Sequence, residues 1–61
     1  MSNNLRERCI TFLKTLQTPV TKFCRKVDLA PSSYYQWQRG FFELSAVTQQ
    51  RIDSFLSKYG F

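Results

Sequence analysis

Pro19-Val-Thr-Lys-Phe-Cys-Arg-Lys-Val-Asp-Leu-Ala-Pro-Ser-Ser-Tyr-Tyr-Gln-Trp-Gln-Arg-Gly40 is the stretch on which the fold turns. Val20, Phe23, Cys24 and Val27 recur at i, i+3, i+4 and i+7, which is one apolar stripe of a helix. Thr18 before Pro19 is a helix-start signal: a Thr hydroxyl caps free N–H groups, and Pro lacks the N–H that would go unpaired. The spacing predicts a first helix over about Pro19 to Lys26. Asp28-Leu29-Ala30-Pro31 then breaks the pattern. Pro31 disfavours a helical Ala30, and Asp tolerates a left-handed turn. A second helix is expected over about Pro31 to Arg39, with Tyr34 and Trp37 inward and Gly40 ending it.

Outward from this pair, the apolar residues Leu5, Cys9, Phe12, Leu13 and Leu16 follow helical spacing on a preceding helix over Leu5 to Leu16, capped by Ser2, Asn3 or Asn4. Ile10 lies off that face and is expected at a second contact. Arg6, Glu7, Arg8 and Lys14 fall outside the stripe. This helix reads as support for the central pair. Downstream, Ser45 is placed to cap a last helix over Ala46 to Lys58, with Thr48, Ile52, Phe55, Leu56 and Tyr59 as its stripe. Gly60 suits its C-terminus, and Lys58 complements the negative end of the helix dipole. Between Gly40 and Ser45, Phe41 and Phe42 are adjacent and cannot both turn inward; one is expected on the core.

The central segment resembles the helix-turn-helix of Cro and CI, the repressors of phages and mobile elements. Cys24 stands where that family has a small residue in the first helix, Leu29 at the apolar position after the turn, and Tyr34 and Trp37 at the two buried positions of the recognition helix. Val20 stands where the family often has Gln, and Asp28 where the turn usually has Gly. The resemblance implies an all-α, lambda-repressor-like fold: one compact four-helix domain over residues 1–61, with the helix-turn-helix at about 19–39. It also implies a double-stranded DNA partner. By position, the base-reading residues would be Pro31, Ser32, Tyr35 and Gln36, and Pro31 is poor at polar readout.

The residues themselves support that direction. Ser32, Gln36 and Arg39 are spaced to share one helix side, with Ser33 and Tyr35 also outward. Such a side fits a major groove about 12 Å wide, where Gln bonds adenine and Arg bonds guanine or phosphate. Thr21, Lys22, Arg25 and Lys26 lie off the buried stripe of the preceding helix and are candidates for phosphate contact. The chain of 61 residues has 9 Lys+Arg against 4 Asp+Glu, a formal charge of +5 that favours polyanions. A domain this short buries only about 60% of its unfolded surface, so the 16% aromatic content matters to its core.

Other chemistries find little support. With no His, scattered acids and no Gly-rich loop, no enzyme activity and no cofactor are expected. Two Cys without His make a poor metal site, and Cys9 and Cys24 read as small buried hydrophobes. No membrane segment or signal peptide is read, so a cytoplasmic location in a bacterial host, on the nucleoid when DNA-bound, is expected. A homodimer is a further expected partner. The family's fifth, dimer-building helix has no counterpart among the four read here, so its contact is sought at Phe41, Phe42, Leu44 and Phe61. The leading function is a Cro-like transcriptional repressor of a phage or prophage. The alternative is a small protein-binding module, an antirepressor or an inhibitor of a host or phage protein, that reuses the scaffold; adjacent aromatic residues often mark interfaces.

Overall fold

A computed structural model describes residues 4–61. Asn4 opens α1, Leu5–Leu16, and its side-chain carbonyl accepts the Glu7 N–H at 3.3 Å. Ser2 and Asn3, the alternative caps, lie outside the described residues. Ser45 opens α4, Ala46–Lys58, and its hydroxyl accepts the Thr48 N–H at 3.3 Å. These caps each satisfy one of the N–H groups left over in a first helical turn.

The two central helices start differently. α2 is Val20–Lys26, with Pro19 in the cap position, and α3 is Pro31–Gln38, capped by Ala30. Neither has a side-chain cap bond, so the expected role of Thr18 is corrected. The Thr18 N–H instead donates to the Leu13 carbonyl at 3.0 Å and closes α1. Arg39 is likewise displaced by one position, serving as the C-cap of α3.

All four helices stop in the same way. Gln17, Asp28, Gly40 and Gly60 each have positive φ within two residues of a helix end. In each case the next residue's N–H reaches five residues back: Thr18 to Leu13, Leu29 to Cys24, Phe41 to Gln36 and Phe61 to Leu56, at 2.9 to 3.0 Å. This is the Schellman termination, which pairs carbonyls otherwise orphaned at a helix end.

The elements form a compact all-α domain of four helices, with no strand among the described residues. Its radius of gyration is 10.6 Å, against about 10.5 Å for a compact chain of this length. Each helix sends two buried side chains inward: Cys9 and Phe12, Phe23 and Cys24, Tyr34 and Trp37, Ile52 and Leu56. Val27 and Leu44 complete this core from the loops. Phe12 is its hub, with ring contacts to Phe23, Phe55, Tyr59 and Phe61 at 5.3 to 5.7 Å. Rings at these separations and tilts gain from edge-to-face attraction beyond the area they bury.

Several placements expected from the sequence change. Leu16 ends α1 and is 46% exposed, Tyr59 follows α4 as its C-cap and is 52% exposed, and Ile10 is 44% exposed. After α3, the core position is filled by Leu44 and by neither Phe41 nor Phe42. The left-handed turn at Gly40 redirects the chain, and Gln49 then holds the Leu44 carbonyl at 2.7 Å.

Candidate nucleic-acid interface

α3 has eight residues and is about 12 Å long at 1.5 Å per residue. Tyr34 and Trp37 face the core, which turns Ser32, Tyr35, Gln36 and Arg39 to the exposed side. Ser32, Gln36 and Arg39 share one stripe, as their spacing requires. Ser33 is half-buried at its edge. Tyr35 is 52% exposed and its ring packs edge-on against Tyr34 at 5.7 Å, which limits its freedom. Among the described residues, no carboxylate lies within 4 Å of Arg39, leaving its guanidinium open to an external anion.

Two polar contacts hold this helix against α1. Arg6 Nε donates to the Trp37 carbonyl at 2.7 Å, and its guanidinium sits 5.2 Å from the Trp37 ring centre. Gln38 Nε2 donates back to the Arg6 carbonyl at 3.0 Å and to the Tyr34 hydroxyl at 3.2 Å. A cation on a terminal carbonyl is also favoured by the helix dipole. Glu43 completes the clamp, 3.1 Å from Arg6 Nη2. Neither Arg6 nor Gln38 stood out in the sequence. Gln38 had a readable signal, four positions after Tyr34, whereas Arg6 reaches a residue 31 positions away.

Arg8 plays the corresponding part toward α4. Its Nη1 lies 2.6 Å from Asp53, and its Nε donates to the Phe61 carbonyl at 2.8 Å. Two arginines, two positions apart on α1, thus tie it to α3 and to α4.

The α2 candidates divide. At 100° per residue, Lys22 and Lys26 occupy one flank of the helix and Thr21 and Arg25 the other, and all four are exposed. Lys22 and Lys26 line clefts whose other walls come from α1 and α4, and no α3 residue lines either cleft. Lys22 and Lys26 thus lie on the flank of α2 that borders α1 and α4, and Thr21 and Arg25 on the other flank.

The candidate partner contacts divide as well. Leu44 is core, and Phe61 is half-buried edge-on against Phe12 at 5.5 Å, so their apolar area is already largely used within the chain. Phe41 at 69% and Phe42 at 39% exposure keep theirs open.

Cys9 and Cys24 are free thiols with no exposed surface. Burial pushes the Cys9 thiol up to about 12 and raises that of Cys24. Buried, protonated thiols are inert packing groups rather than nucleophiles. Among the described residues no helix is long and apolar enough to cross a membrane.

Compared with protein-family models, with curated proteins and with solved structures, the chain matches none.

Proposed function

We propose that α2, the turn at 27–30 and α3 form a helix-turn-helix of the Cro/CI type, and that the chain is a sequence-specific double-stranded DNA-binding regulator acting as a small repressor. One observation carries this reading: the exposed stripe of Ser32, Gln36 and Arg39 with Tyr35 beside it, on a short helix anchored from behind by Arg6 and Trp37. Gln36 and Arg39 are groove readers by chemistry, and Ser32 and Tyr35 supply hydroxyls for base edges or phosphate. Thr21 and Arg25 are the phosphate contacts of choice on α2. The charge of +5 supplies the nonspecific attraction. Such a protein represses by occupying its site, with no catalytic step. A dimer would set two recognition helices about 34 Å apart, on the halves of an inverted repeat. Of the residues read as partner contacts, Phe41 and Phe42 keep their apolar surface open to form it.

The test is selection from a randomised duplex pool, followed by fluorescence anisotropy of the winner and the pool at two salt concentrations. The winner is expected to bind at least about 10³-fold better than the pool, the low end for specific readers. Replacing Gln36 and Arg39 together by Ala should remove that preference and leave the circular dichroism spectrum unchanged. Equal binding of winner and pool, or an unaffected double variant, would overturn the reading.

A second reading rests on Phe41 and Phe42, whose exposure would suit a protein-binding module. It expects no salt-sensitive DNA binding, and a partner lost on Phe41→Ser.

A further inference from the structure

We infer that the groove between α2 and α4 is a second docking surface, which takes an acidic amphipathic helix from a protein partner. The groove consists of two adjoining clefts that share Lys26 and Phe55. The first, about 310 Å³, has an apolar floor of Phe12, Phe55, Tyr59 and Leu16, with Lys22 and Lys26 on its rim. The second, about 430 Å³, continues along α4 past Lys58 and Arg51 to Val47. From Val47 to Tyr59 this face of α4 runs about 18 Å, the length of three turns of a visiting helix.

Three features choose the occupant. The apolar side chains of the groove keep much of their surface open: Leu16, Tyr59 and Val47 are 46%, 52% and 68% exposed. They suit anchors spaced i, i+3 and i+7 on a helix. The rim is cationic, with Lys22, Lys26, Arg51 and Lys58, and no carboxylate lines either cleft. A partner with Glu or Asp beside its anchors complements that rim, whereas a second copy of this chain would bring the same four cations against it. Lastly, the rings are poorly presented for stacking nucleobases. Phe12 and Phe23 are buried, and Phe55 and Tyr59 pack on one another with centres 5.1 Å apart. An apolar anchor gains from such a floor where a flat base does not.

No α3 residue lines the groove. The surface therefore does not depend on DNA reading, and its failure and that of the DNA reading are separately observable. The experiment uses the full ¹⁵N-labelled chain and a synthetic helical peptide with Leu along one face and Glu elsewhere. Amide shifts are expected at Leu16, Lys22, Lys26, Val47, Lys58 and Tyr59, with α3 unmoved. The same peptide with Lys for Glu should not bind. Leu16→Glu combined with Lys58→Glu should weaken binding by at least about tenfold, a readily measured step. Lys58→Gln alone, which leaves the apolar floor intact, should weaken it less and steepen no salt dependence. Absence of shifts, shifts confined to α3, equal binding of the Lys peptide, or the same residues shifting with oligothymidylate would each overturn the proposal.

Discussion

Gln17 and Asp28 carry the least comfortable backbone in the chain, at φ 51° and 57°. Each occupies the left-handed position that Gly40 and Gly60 fill without a Cβ penalty. Asp tolerates that region through local hydrogen bonding, whereas Gln has no comparable compensation. The carboxylate of Asp28 is 3.9 Å from Arg51 and 91% exposed, so this pair contributes next to nothing. Asp28→Gly is therefore expected to stabilise the fold by about 0.5 kcal/mol, after the extra entropy of Gly in the unfolded chain is subtracted. That raises the melting temperature by about 2–4 °C in a domain of this size. Gln17→Gly should stabilise by more, about 1 kcal/mol. Thermal melts of the two variants check both the sign and the order, and a fall in either melting temperature would show the turn to be held by something other than φ.

At the scale of the element, α3 is too short to persist alone, since isolated helices below about 12–15 residues are marginal in water. Its position rests on Tyr34, Trp37 and the reciprocal contacts with Arg6 and Gln38. Arg6→Ala removes a charged hydrogen bond and a cation over an indole, a loss of about 2 kcal/mol for a half-buried pair. The expected consequence is local: faster hydrogen exchange at α3 amides than at α1 or α4 and, under the proposed function, a weakened DNA preference. Arg6→Lys keeps the charge but not the planar fork, so it should restore only part. Uniform loss of protection across the helices would assign Arg6 to global stability alone.

At the scale of the whole molecule, the two thiols and the Tyr34 phenol link stability to alkaline pH. Burial raises Cys9 from 9.0 to about 12 and Tyr34 from 10.0 to about 12, and raises Cys24 from 9.0. The folded state thus holds these protons to higher pH than the unfolded state does. The resulting stability is complete below about pH 9 and declines as pH climbs toward 12. Melting temperature should fall over that window, with a shallower slope in Cys9→Ala even though that variant starts lower. At pH 8 a thiol reagent should label Cys9 and Cys24 only as fast as the domain opens. Immediate labelling of the folded chain would contradict the packing of the core.

Much of this architecture is local in origin and so readable in one dimension. α1 and α4 begin and end where their caps and stripes place them, because Asn4, Ser45 and Gly60 act on their own neighbours. The outward stripe of α3 follows from helical period once Tyr34 and Trp37 turn inward. The sequence by itself determined the helices, most of their inward faces and the positive charge. Only the tertiary structure decided which faces meet. It set Arg6 on Trp37, turned Leu44 inward in place of a Phe, and placed Lys22 and Lys26 on clefts shared with α4. Periodicity states that a side is apolar but not which other side covers it, because that choice depends on the crossing of rigid helices and on loop directions set by single left-handed residues.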